Sequence, residues 1–155
     1  MRETTRIADQ LQRAYAGHAW HGPSLRFLLR GLTARQAASH PISGAHSIWE
    51  LVLHITAWDR VARQRILGGR RTGLGPHRNF PPVTRSTAAA WKQALRDLAR
   101  EHRALEAAVQ KFPPARLDRK LSGGDHSFYF TMHGILQHDL YHAGQIAILR
   151  KGLRR

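Results

Sequence analysis

Gly134-Ile-Leu-Gln-His138-Asp-Leu-Tyr-His142-Ala-Gly-Gln145-Ile-Ala-Ile-Leu149 is the stretch on which the fold turns. Wound at 3.6 residues per turn, it lines up Thr131, Gly134, His138, His142, Gln145 and Leu149 on one narrow stripe. His138 and His142 are one turn apart, so both imidazoles leave the helix on the same side. A stripe that mixes a small residue, two imidazoles and an amide is unusual for a plain apolar core. Two histidines at i, i+4 are a recurrent half-site for zinc and related ions. Alone, such a pair is more often ordinary core or surface histidine, so a metal site needs a third ligand from elsewhere.

Upstream, Glu50-Leu-Val-Leu-His54-Ile-Thr-Ala-Trp58-Asp supplies one. Ser47, Glu50, Leu51, Ala57, Trp58 and Val61 share the helical face of His54, and most of that face is apolar. His54 therefore points inward, where a buried imidazole needs a polar partner. The pair on the last helix is the natural one. Three inward histidines on two helices would leave coordination positions open, as in a catalytic rather than a closed structural site. Glu50, one turn before His54, has several roles open to it: fourth ligand, general base, orienting partner, or only a member of a capping box. Gln145, one turn beyond His142, is a candidate to orient a ligand or touch substrate. Asp139 projects about 100° from His138 and is a weaker candidate. Trp58 is expected to wall the cavity or pack in the core.

The other histidines sort by position. His102 completes a helical seam and reads as a hydrogen-bonded core residue. His133 projects about 140° away from the stripe. His18, His21 and His46 stand at helix edges, where they could border a pocket mouth, and His40, His77 and His126 fall in loops and read as solvated.

Outward from these motifs the chain reads as helices throughout. A first helix over Thr5 to Ala16 breaks around Trp20, since Gly17 is costly inside a helix and Pro23 suits the first turn of a new one over Ser24 to Gly31. A short turn is expected at Thr33 to Ala38 and a connector at Pro41 to Gly44. Ser47-Ile-Trp-Glu50 is a capping box that opens a helix running to Leu67 and stopping at Gly68-Gly69. Residues 69–83 read as loop. A third helix runs from Ser86 to before Pro113-Pro114, with Ala88, Trp91, Leu95, Leu98, His102, Leu105, Val109 and Phe112 as its seam. After a connector over 113–126, the last helix spans Ser127 to Lys151. The expected fold is all-α: a four-helix bundle whose first helix is broken near Trp20, in a single domain over residues 1–155, with its site built from facing helices.

Composition narrows the chemistry. Cysteine is absent, so thiolate zinc sites, disulfides and cysteine nucleophiles are excluded, and any metal is held by imidazole, carboxylate or water. Lys and Arg total 25 against 10 Asp and Glu, a formal charge of +15. A chain this basic associates non-specifically with nucleic acid and other anionic partners at low salt. Its basic residues are scattered, with small clusters at Arg70-Arg71 and Arg150-Lys151 to Arg155, and no recognition helix or aromatic-studded basic stripe accompanies them. A solvated cationic surface is the expectation. The opening residues lack the apolar core of a secretory leader and no apolar run approaches the roughly 20 residues of a membrane span, so a cytoplasmic protein is expected.

The segment from Gly134 to Ile146, together with Glu50-Leu-Val-Leu-His54-Ile, resembles the DinB/YfiT-like family. Ala19-Trp20-His21-Gly22-Pro23-Ser24, Phe80-Pro81-Pro82 and Trp91 extend the likeness over most of the chain. The resemblance implies a four-helix bundle with a histidine-triad site for a divalent metal, often zinc or nickel, and frequently a homodimer. Matched residue by residue, the triad is His54, His138 and His142. It also implies a range of chemistries: S-transferases and isomerases that use low-molecular-weight thiols, proteins described as metal-dependent hydrolases, and DNA-damage-inducible proteins without an established reaction. Two functions follow as expectations. One is a metal-dependent enzyme of the thiol-transfer or hydrolytic type. The alternative is a non-catalytic stress-response protein with a structural metal and an anion-associating basic surface.

Overall fold

A computed structural model describes residues 1–68 and 70–153. The expected stop at Gly69, the side chain of His77 and the end of the basic cluster at Arg154 and Arg155 lie outside the described residues. The helices are α1 (Glu3–Tyr15), α2 (Leu25–Leu29), α3 (Ala34–Ala38), α4 (Ile48–Gly68), α5 (Pro76–Asn79), α6 (Ala88–Lys111) and α7 (Phe128–Gly152), with a 3₁₀ turn at Pro114–Arg116. Among the described residues extended pairing is limited to isolated bridges. The all-α expectation holds, and no described helix is long and apolar enough to cross a membrane.

Side-chain caps start the three longest helices, α4, α6 and α7. At α4, Ser47 and Glu50 form the reciprocal box: the Glu50 amide donates to Ser47 Oγ at 3.2 Å and the Ser47 amide to Glu50 Oε2 at 2.7 Å. Thr87 Oγ1 accepts from the Ala90 amide at the start of α6, and Ser127 Oγ from the Phe130 amide at the start of α7. The break after α1 has a steric cause. A Cβ on Gly17 would sit 3.0 Å from the Arg13 Cα and 2.8 Å from Gln12 Oε1, and Gly22 turns the chain with φ of +128°. Trp20, at the tip of that turn, is fully exposed.

Four helices make the bundle. α4 packs against α6 and α7, and α1 packs against the same two, so α1 and α4 face each other across a diagonal, as do α6 and α7. The core divides into two halves. One gathers Ile48, Leu51, Val52 and Ile55 of α4, Trp91 and Leu98 of α6, and Ala143, Ile146 and Leu149 of α7, roofed by α2 and α3. The other gathers Ile7 and Leu11 of α1, Ala62 and Ile66 of α4, Leu105 and Val109 of α6, and Met132 and Ile135 of α7. These memberships set the directions: α4 and α6 run one way, α1 and α7 the other. Two parallel neighbours need a crossover, which is why 69–87 is long.

The 69–83 loop contains the single turn α5, and Ala88, expected in the α6 seam, is exposed in that helix's first turn. Between the two core halves lies a polar layer of Asp59, His102 and Asp139, all buried.

Candidate metal centre

His54 projects from the second turn of α4, and His138 and His142 from successive turns of α7. Each offers a ring nitrogen, and the three atoms lie within 4.8 Å of one another. His54 Nε2 and His138 Nε2 are 2.9 Å apart. The ring centroids of His142 are 4.5 Å from His54 and 4.4 Å from His138.

The outer nitrogens set the tautomers. His54 Nδ1 is 2.5 Å from the Asn79 carbonyl oxygen, which only accepts, so this nitrogen carries the hydrogen. His142 Nδ1 donates to the Gln145 side-chain oxygen at 2.6 Å. In both rings Nε2 is left as a bare lone pair, the arrangement that orients a metal-binding imidazole. The 2.9 Å contact between two Nε2 atoms then needs the hydrogen of His138, and an ion accepting both lone pairs would take its place. The residues present fit a divalent ion.

Burial keeps these rings neutral. It lowers the His54 and His142 pKa values, with a smaller contribution from the charge of His46 in each case and of His142 on His54. His138 falls to about 3, through burial first and then His142 and His54. Neutral imidazole is the ligand form, so protons compete with a metal only in acid.

The walls come from the crossover. Phe80 stacks on His54 with centroids 3.9 Å apart and on His46 at 3.8 Å, so one benzyl ring is sandwiched between two imidazoles. Trp58 Nε1 donates to the Asn79 side-chain oxygen at 2.8 Å, and its ring lies 5.8 Å from that of His138. α5 and Phe80 therefore form a cover that Asn79 ties to α4 through both its backbone and its side chain. Two clefts flank the centre. One of about 180 Å³ is bordered by Trp58, Arg65, His126, Phe130, Gly134 and His138. The other, about 350 Å³, is bordered by His46, Leu51, Gln145 and Ile148. A Cβ on Gly134 would meet open space, so this glycine keeps the first cleft wide. A larger cavity of about 640 Å³ between α1, α2 and α6 touches none of the three histidines.

Glu50 is occupied elsewhere. Its carboxylate accepts from the Ser47 amide and from His40 Nε2 at 3.1 Å, and these bonds outweigh the cost of its burial and lower its pKa. It makes no hydrogen bond to the triad. Gln145 does, through His142. Of the remaining histidines, His46 stands at the mouth of the wider cleft, and His126 at that of the narrower. His18 and His21 lie in the turn after α1, His133 pairs loosely with Glu3, and His40, though exposed, is held by Glu50.

Asp59 is a buried group that helical-face reading overlooks, and Asp139 is one it ranks as a weaker candidate. His102 Nε2 donates to the Leu11 carbonyl at 3.1 Å, and its Nδ1 is 3.2 Å from Asp59 Oδ2 and 3.8 Å from Asp139 Oδ2. Burial and the neighbouring Asp59 push the Asp139 carboxyl well above the usual carboxylate range. Asp139 Oδ1 lies 3.4 Å from His138 Nδ1. Its proximity to His138 in sequence was a signal, although its angular offset argued against it.

A family model described as the DinB superfamily matches residues 18–146. No curated protein and no solved structure matches the chain.

Proposed function

The chain belongs to the DinB superfamily, and on that premise we propose that it is a metal-dependent enzyme in which His54, His138 and His142 hold one divalent ion through their Nε2 atoms. The observation that carries this reading is the pair of preset tautomers: Asn79 and Gln145 each hold the Nδ1 hydrogen of one ring, which leaves Nε2 bare on two histidines of a cluster whose ring nitrogens lie within 4.8 Å of one another. Imidazole donors suit zinc and nickel. Bound there with positions left open, such an ion would polarise a carbonyl or lower the pKa of a water or thiol. The chain contributes the rest. Trp58 and Phe80 shield the centre, Gln145 orients His142 and reaches the wider cleft, and Gly134 leaves room for a substrate in the narrower one. Thiol transfer or hydrolysis is the chemistry in view. A thiol nucleophile would arrive as a low-molecular-weight cofactor, because the chain has no cysteine of its own.

A homodimer belongs to the same proposal. α7 leaves two large apolar side chains, Tyr141 66% and Ile148 60%, exposed two turns apart on one face. A second copy would bury them. The non-catalytic alternative rests on the +15 charge. It gains if metal-loaded protein is inert toward both thiol acceptors and simple esters while still being stabilised by the ion.

The deciding experiment is elemental analysis with calorimetric titration of zinc and nickel. The expected result is one ion per chain, with His54→Ala and His142→Ala each weakening binding by more than about 100-fold, beyond what loss of an outer partner costs. Unchanged metal content in both variants overturns the reading.

A further inference from the structure

The polar layer in the middle of the bundle has a cost that the fold alone does not explain. Asp59 is fully buried, and His102 and Asp139 are 1% and 3% exposed. Among the described residues, Asp59 Oδ1 and Asp139 Oδ2 have no hydrogen-bond partner. Burying such groups is unfavourable, and apolar residues of similar volume often serve stability better. Unpartnered buried carboxyl oxygens call for a functional reason.

The geometry supplies one, and it rests on the metal reading above. When an ion takes His138 Nε2, the single hydrogen of that neutral ring must sit on Nδ1. The acceptor recorded at Nδ1 is Asp139 Oδ1, 3.4 Å away. Behind it, Asp139 Oδ2 faces His102 Nδ1 at 3.8 Å, and Asp59 Oδ2 faces the same nitrogen at 3.2 Å. His102 is itself fixed by its bond to the Leu11 carbonyl of α1 and by Tyr15, whose ring stacks on it at 4.5 Å. These side chains stand in a row from the candidate ion through His138 and Asp139 to His102, with a 3.8 Å step between Asp139 and His102, and on to the Leu11 carbonyl of α1. His54 and His142 have their own outer partners, and this row is the corresponding partner of His138.

We infer that Asp139, braced by Asp59 and His102, is a positioning residue that holds the His138 ring with Nε2 toward the metal. The layer serves the site at the expense of fold stability. Its loss should therefore separate two quantities that a structural core network would move together.

The test uses the full chain. Zinc affinity is measured by competition with a chelator, and thermal unfolding is followed without metal, for wild type, Asp139→Leu and Asp139→Asn. Asp139→Leu should bind zinc about 10- to 100-fold more weakly while its metal-free melting temperature equals or exceeds that of wild type. Asp139→Asn, which keeps an acceptor oxygen, should recover most of the affinity. Equal zinc affinity in wild type and Asp139→Leu overturns the inference. Should the leucine variant fail to fold, nitrogen-15 spectra of the histidine rings in zinc-loaded wild type decide. Zinc on Nε2 of His138 with a slowly exchanging hydrogen on Nδ1 is expected, and zinc on Nδ1 overturns the inference. A wild type that binds no zinc or nickel at all is a different failure, that of the metal reading itself.

Discussion

At the scale of single residues, the triad makes the metal-free protein sensitive to acid. An ordinary histidine takes up a proton near pH 6.5, and the unfolded chain does so. The folded chain resists, His138 down to about pH 3. Between those values the unfolded state binds more protons, so the stability present above about pH 6.5 is lost as the pH falls toward 3. Asp139, raised by burial and Asp59, works in the opposite sense and gains as the pH falls. The informative comparison is wild type against His138→Leu. Melting temperatures without metal should decline steeply from pH 7 to pH 4 in wild type and more shallowly in the variant. His54, His138 and His142 were legible in the sequence because their spacing and their apolar neighbours place them on inward faces. Asp59 was not, and Asp139 was legible only as a weaker candidate. α7 touches α1 and α2 as well as α4, so its buried surface is wider than one stripe, and an acid about 100° off the histidine line still points into the core.

At the scale of elements, caps and crossover divide the labour. Ser47, boxed with Glu50, begins α4 two turns before His54, so the box sets where that ligand stands. Ser47→Ala should cost about 1 kcal/mol in denaturant unfolding and leave the metal content at one ion per chain. Glu50→Gln tests the other roles once open to Glu50. Its bonds go to Ser47 and His40, so zinc affinity should change by less than about threefold, well under the 10-fold or more that losing a ligand-orienting partner costs. The long helices could be read from their caps and periodicity. α5 could not, because one turn has no period to detect, and its contact with His54 comes through a backbone carbonyl, that of Asn79, which any residue type would present; only the bond from Trp58 needs the asparagine side chain. Glycine roles were legible only in part. The break after Tyr15 followed from Gly17 and Pro23, whereas Gly134 shows its purpose only beside the cleft.

For the molecule as a whole, charge and apolar exposure point to different partners. The +15 surface should bind random-sequence DNA weakly and lose that binding steeply between about 50 and 200 mM salt, with no sequence preference. A preference that survives at high salt would show readout beyond bulk electrostatics. Tyr141 and Ile148 bear on self-association: Tyr141→Glu should shift sedimentation from dimer to monomer without changing metal content.

The diagonal arrangement of the bundle also says what would happen if the crossover were cut. The principal helix pairs, α1 with α6, α1 with α7, α4 with α6 and α4 with α7, all join a helix before residue 69 to one after it. Neither half keeps any of these four pairs, so a fragment ending at Gly68 and one beginning near Leu74 should each be largely unstructured. Mixed together, they should recover helicity by circular dichroism. His54 lies on one piece and His138 and His142 on the other, so zinc should act as the clasp between them and tighten their association.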